Sequence, residues 1–244
     1  MSSDQPSAPT SDSGDHSSPA PSTAVADRDR TDLLSPRLRG GRPYFVAAIV
    51  LVIAGIQLAM PQSVTLGPKW LIPSFEVVGA PLILTIITTR RPNKRLLRVG
   101  AGIYLVMIIS VTILNAVLLF RTLLTPAADS GVVLLFAGFG VLAINVLSFG
   151  LVYWWVDGGG PLSREAGTVK QWDFQFPQQA SGDHGWNAEV GDYIFTAYTN
   201  IVAFSPTDTM PLTRRVKYMF TVQSSVALIT IVVTVSRAIN LLPY

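Results

Sequence analysis

The chain has 244 residues, of which 14% are charged and 49% are hydrophobic, and its mean hydropathy is +0.43. A soluble domain usually carries about 25% charged residues, so this composition excludes an ordinary soluble enzyme. The lack of cysteine excludes a disulfide framework, cysteine-ligated zinc and thiol catalysis. The net charge of +3 comes mainly from basic loops between apolar blocks, so we expect no binding of nucleic acid.

Residues 1–43 form a polar tail with nine Ser, six Pro, six Asp and five Arg. This composition offers too little apolar surface to offset the entropy of ordering. We predict a disordered cytoplasmic tail that is free to bind a protein partner. Its last bases, Arg37, Arg39 and Arg42, are typical of a topological signal beside a first span, and docking to anionic lipid is the alternative.

Five apolar blocks follow, and each is long enough to cross a bilayer, which takes about 17–25 residues of helix. They are residues 44–60, 71–89, 99–120, 131–155 and 216–242. The second block is the weakest, because it contains Pro73, Glu76 and Pro81. No alternation with a period of two occurs. We therefore predict an all-α fold, a polytopic transmembrane helix bundle of about five spans over residues 44–242.

The distribution of basic residues predicts the orientation. If the tail is cytoplasmic and all five blocks cross, 15 of the 18 Lys and Arg residues lie on the cytoplasmic side. Only Lys69, Arg121 and Arg237 fall on the other side. We expect a multi-pass protein of the cell membrane, with its N-terminus in the cytoplasm and its C-terminus outside.

A polar cytoplasmic loop, residues 157–215, joins the fourth and fifth blocks. It opens with the three glycines 158–160, which end a helix. Trp172, Phe174 and Phe176 then alternate with polar residues. We expect these aromatic side chains to pack on the helix ends, and a platform for a ligand is the alternative.

Near the end of this loop, residues 192–204 are apolar enough to be helical but too short to span a membrane. We predict a short re-entrant or buried interfacial helix, with Asp192 as its N-cap. Pro206 biases the preceding residue away from helix, so the helix should end by Phe204.

The last third of the chain has an ordered set of features: a Gly-rich turn, an FP pair, a D-Y-x-x-T segment, an S-x-x-D turn, two bases, and a last helix with Gln, Ser and a late Asn. The residues are 158–160, Phe176, Pro177, Asp192, Tyr193, Thr196, Ser205, Asp208, Arg214, Arg215, Gln223, Ser224, Ser225 and Asn240. This set resembles a family of uncharacterised bacterial multi-span membrane proteins of unknown function. The resemblance implies a membrane fold and brings no established activity.

Residues 208–213, which read D-T-M-P-L-T, are similar to the D-x-x-P-x-T motif that follows the selectivity filter of potassium channels. A short helix precedes this motif and a long apolar helix follows, as in a helix–pore loop–helix module. Where those channels carry T-V-G-Y-G, residues 203–207 contain Phe204 and Pro206 and no glycine. A ring of filter carbonyls needs backbone conformations that glycine adopts readily and that proline and bulky residues do not. The similarity therefore implies a re-entrant loop without potassium selectivity.

Two ionisable residues, Glu76 and Arg237, lie at matching depths of the predicted second and fifth spans. Arg237 can snorkel to the outer interface, pair with Glu76, or join it in a proton or ion pathway. For the amides Asn115, Asn145 and Gln223 we expect interhelical hydrogen bonds.

The chain lacks the common catalytic motifs, and its predicted spans contain neither His nor Asp. We therefore expect no enzymatic activity, no cofactor and no metal site. The first functional hypothesis is a channel- or transporter-like protein whose re-entrant loop lines a path for cations. The lining residues would be Thr196, Thr199, Asn200, Ser205, Thr207, Asp208, Gln223 and Ser224. The alternative is a non-transporting membrane scaffold or regulatory protein that acts through its tail and loop. The expected partners are the lipid bilayer and, as an option under either hypothesis, further copies in a homo-oligomer.

Overall fold

The computed structural model describes residues 43–65, 67–88, 94–124, 131–182, 186–203 and 208–241. These residues belong to one compact unit, Leu38–Tyr244, and are mostly helical, as predicted. The predicted disordered tail lies outside the described residues, except for Pro43.

Five long helices coincide with the five predicted blocks, and shorter elements occupy the loop between the last two. In chain order the elements are α1 (Pro43–Ala59), α2 (Leu71–Thr88), α3 (Lys94–Leu124), α4 (Gly131–Val156), α5 (Pro161–Glu165), β1 (Phe174–Gln175), α6 (Pro177–Ala180), α7 (Val190–Val202), β2 (Met210–Pro211) and α8 (Arg214–Leu241). Two 3₁₀ turns, Gln62–Val64 and Asp157–Gly159, follow α1 and α4.

Some helix ends differ from the predicted ones for local reasons. Helix α3 begins at Lys94 rather than at residue 99, because the basic residues before the apolar block are good helix formers. Pro73 is tolerated in α2 because it lies in the first turn, where a backbone N–H has no intrahelical acceptor. Helix α7 ends at Val202, which confirms that it stops before Phe204.

Three helical segments of the described residues are long and apolar enough to cross a membrane, namely Val99–Leu124, Gly131–Gly159 and Arg214–Ser236. Residues Phe45–Ala59 form a shorter apolar helix. These segments indicate membrane association.

Helix α4 lies at the centre of the bundle and packs against α1, α3, α7 and α8. Helix α8 runs antiparallel to α4, since Gln223 contacts Tyr153 while Thr234 lies against Gly138, further towards the start of α4. Helix α7 approaches α4 so closely that a Cβ at Gly150 would lie 2.9 Å from the Cα of Ile194. Glycine is therefore required at position 150.

The segment between α4 and α8 (residues 157–213, hereafter the connecting segment) departs from the all-α prediction. It contains a two-residue antiparallel ladder in which Phe174 pairs with Pro211 and Gln175 with Met210. Phe174 is fully buried, and its ring lies 5.4 Å from that of Tyr153 and 5.7 Å from that of Tyr193. The predicted packing of Phe174 on the helix ends is thus confirmed.

Candidate functional site

Asp157 follows the last turn of α4 and is fully buried. Its Oδ1 accepts hydrogen bonds from the backbone N–H groups of Asp173 (2.9 Å) and Phe174 (3.2 Å). Its Oδ2 accepts one from the Tyr193 hydroxyl at 2.6 Å. One carboxylate therefore joins the end of α4 to strand β1 and to helix α7.

Arg164 and Tyr193 complete the surroundings of Asp157. The Nη1 of Arg164 donates to the carbonyl oxygens of Trp154 (2.8 Å) and Asp157 (2.6 Å). Its guanidinium lies 5.7 Å from the centre of the Tyr193 ring, within the range of a cation–π contact. Burial raises the pKa of the Tyr193 phenol well above its usual value, so this hydroxyl remains a donor at physiological pH.

A second buried carboxylate, Asp173, ties the connecting segment to the start of α8. Its side chain forms an ion pair with Arg215 and accepts a hydrogen bond from the Thr213 hydroxyl at 2.6 Å. The Nε of Arg215 donates to Asp173 Oδ1 at 2.7 Å. Because Asp173 is wholly buried while the Arg215 side chain is 55% exposed, only the carboxylate needs the pair to offset its desolvation.

Helices α7 and α8 are joined by a cluster of side-chain amides. Gln223 accepts hydrogen bonds from Tyr153 Oη (2.7 Å) and Asn200 Nδ2 (2.8 Å). It donates through Nε2 to the backbone oxygen of Ala197 at 3.0 Å. Ser224 Oγ lies 3.4 Å from the backbone oxygen of Asn200. The interhelical hydrogen bond predicted for Gln223 is confirmed.

The threonines of α7 also contact protein atoms. Thr196 Oγ1 lies 2.8 Å from the backbone oxygen of Asp192 and 3.1 Å from Thr209 Oγ1. Thr199 donates to the backbone oxygen of Thr196 at 3.1 Å. Asp192 is not the N-cap that we predicted. Glu189 occupies that position, and Asp192 Oδ2 accepts its backbone N–H at 2.7 Å from within the first turn.

The structure brings together part of the predicted path-lining set. Thr196, Thr199, Asn200 and Gln223 are buried in one polar contact region, and Ser224 borders it. Asp208 lies on the surface. Ser205 and Thr207 lie outside the described residues. The role of these residues in conduction stays a prediction.

Glu76 is 1% exposed and accepts a hydrogen bond from Gln57 Nε2 at 2.8 Å. Among the described residues, its other carboxyl oxygen has no hydrogen-bond partner. The side chain of Arg237 lies outside the described part of the chain, so the predicted pair stays a prediction.

The hydrogen bonds predicted for two other amides are not found among the described residues. The Nδ2 atoms of Asn115 and Asn145 have no partner in the described regions. Helices α3 and α4 are instead joined by a hydrogen bond between the hydroxyls of Thr112 and Ser148, at 3.1 Å. Each of these residues lies about one turn from the corresponding asparagine.

Sequence reasoning missed Asp157 and Asp173, which organise the connecting segment. Both have a local signal: Asp157 directly follows an apolar helix and precedes three glycines, and Asp173 stands between Trp172 and Phe174. A carboxylate amid apolar and aromatic residues is usually either paired or hydrogen-bonded. Its partners, 16 to 42 positions away, cannot be deduced from that signal.

In the described ranges, no group of three or more His, Asp or Glu side chains is arranged to hold a metal ion. Comparisons of this chain with protein-family models, with curated proteins and with solved structures give no match.

Proposed function

We propose a multi-pass protein of the cell membrane in which all five long helices cross, with the N-terminus in the cytoplasm. The lengths of α1 and α2, 17 and 18 residues, support two spans besides the three longer segments. The concentration of basic residues in the tail, around the junction between α2 and α3, and at the start of α8 supports this orientation.

Within that membrane fold, the protein acts as a non-transporting scaffold or regulator through its connecting segment. One observation carries this proposal: Thr196, Thr199, Asn200 and Gln223 direct their hydrogen bonds to other protein atoms. A conduction path needs polar groups that face water and can replace an ion's hydration shell. Asn200 and Gln223 are thereby suited to holding α7 against α8, and Thr196 and Thr199 bond within α7 or to Thr209.

Ion flux into proteoliposomes tests the proposal. We expect the purified chain to give the same sodium and potassium flux as empty liposomes, with valinomycin as the positive control for a potassium gradient. Asp208→Asn should change nothing, because an amide keeps most turn hydrogen bonds and removes only the charge. A flux above that of empty liposomes which Asp208→Asn alters would establish the channel hypothesis in place of this one.

A further inference from the structure

The connecting segment carries an open cleft of about 450 Å³. Its lining residues are Trp172, Phe174, Gln175, Gln179, Trp186, Asn187 and Leu212. This volume falls in the range of sites that hold small ligands or short peptide segments, about 300–1,000 Å³. The cleft lies outside the helical segments that are apolar enough to span a membrane.

The aromatic walls of the cleft are held in place by the site described above. Trp172 directly precedes Asp173, whose side chain and backbone N–H are both bound. Trp186 packs on Phe176, with ring centres 5.2 Å apart. Trp172 is 37% exposed, so part of its indole remains available for contact. A rigid, partly exposed aromatic group loses little conformational entropy on binding.

The polar part of the lining consists of side-chain amides. Gln175 and Asn187 are exposed, and their side-chain amides make no hydrogen bond with the described residues. Gln179 uses its Oε1 to accept the backbone N–H of Phe176 at 3.2 Å, which leaves its Nε2 free to donate. None of the described residues that line the cleft is charged. This chemistry favours a neutral ligand that has both apolar ridges and hydrogen-bond acceptors.

We propose that the cleft binds an uncharged, proline-rich segment of a protein partner in the polyproline II conformation. Such a segment presents proline rings to aromatic walls and leaves all its carbonyl oxygens free to accept hydrogen bonds. It has few N–H groups that would need acceptors. One turn of such a segment is three residues at about 3.1 Å each. The inference rests on the proposed scaffold function and names the chemistry of the partner.

The test uses the full chain in detergent micelles and a fluorescently labelled polyproline peptide, with anisotropy as the readout. We expect saturable binding that Trp172→Ala weakens about tenfold, as for an aromatic contact at the centre of an interface. Gln175→Ala should weaken it roughly two- to tenfold, the effect of one hydrogen bond. Trp70→Ala is the matched control, since Trp70 is 62% exposed and lies before α2. It should leave binding unchanged.

Four results would overturn the inference. The first is the absence of saturable polyproline binding, and the second is an equal loss of peptide affinity in Trp172→Ala and Trp70→Ala. The third is binding of a neutral oligosaccharide in place of the peptide. The fourth is quenching of Trp172 fluorescence by brominated phosphatidylcholine, which would place the cleft against lipid. The last is measured as the difference between the parent chain and Trp172→Phe. Ion flux in proteoliposomes would overturn the proposed function instead, whereas a chain without flux that fails to bind polyproline overturns only the inference about the cleft.

Discussion

Tyr193→Phe removes one hydroxyl from the interior of the protein and little else. Tyr193 is fully buried, and its hydroxyl donates to Asp157 Oδ2 at 2.6 Å. A hydrogen bond to a charged group contributes about 1.5–3 kcal/mol, and the substitution leaves a buried carboxylate oxygen without its donor. We expect the free energy of unfolding to fall by about 2 kcal/mol, or roughly 4–8 °C in Tm for a chain of this size.

A double-mutant cycle assigns this loss to the contact with Asp157. Asp157→Asn retains one acceptor oxygen for the two backbone N–H groups but turns an amide nitrogen towards Tyr193. The single change should cost roughly 1–3 kcal/mol. Because both substitutions disrupt the same hydrogen bond, the double variant should lose about 1–2 kcal/mol less than the sum of the two single losses.

Unfolding by denaturant titration in mixed micelles measures these differences, and Tyr198→Phe is the matched control. Tyr198 lies on the same helix but is 51% exposed, so its hydroxyl should contribute less than about 0.5 kcal/mol. Equal stabilities of Tyr193→Phe and Tyr198→Phe, or strictly additive losses in the cycle with Asp157→Asn, would refute the reasoning.

Three further outcomes are expected. Gly150→Ala should destabilise the protein by about 1–3 kcal/mol, because its Cβ meets the backbone of α7. Gly102→Ala should not, because a Cβ at position 102 would meet no described atom within 4 Å apart from the neighbouring backbone of its own helix. Equal melting temperatures of Gly150→Ala and Gly102→Ala would contradict the close approach of α7 to α4. If Glu76 pairs with Arg237, Glu76→Gln together with Arg237→Gln should be less damaging than the sum of the singles, and additive losses of stability would exclude the pair. A single cysteine introduced at position 244 of this cysteine-free chain should react with an impermeant maleimide from outside the cell, and labelling only from the cytoplasm would exclude the five-span orientation.

The long helices could be predicted because their information is local. A run of about 20 apolar residues specifies a helix on its own, and the predicted and observed ends of α4 and α8 differ by at most two residues. The short helix α7 was predicted from its length and from Pro206, and its bounds are also within two residues. The ladder between β1 and β2 was not predicted, because two residues carry no periodicity.

The site was harder to predict because its contacts join distant positions. Gln223 was singled out as a buried amide, since an amide in an apolar helix must find a partner. Its partners Tyr153 and Asn200 lie 70 and 23 positions away. For Asn115 and Asn145 the same reasoning gave the wrong result, because the interhelical bond at the α3–α4 contact uses the hydroxyls one turn away.

The two buried carboxylates play different parts in the connecting segment. Asp173 has a cation, Arg215, at the start of α8, whereas the side chain of Asp157 is bound by neutral donors. The backbone N–H of Asp173 is one of those donors. The end of α4 is therefore linked through Asp157 to Asp173, and through Asp173 to the start of α8. Trp172 immediately precedes this junction and lines the cleft. A substitution of Asp157 should therefore weaken binding in the cleft, although Asp157 itself does not line the cleft. In this way the packing of the membrane helices is connected to the surface that a partner would contact.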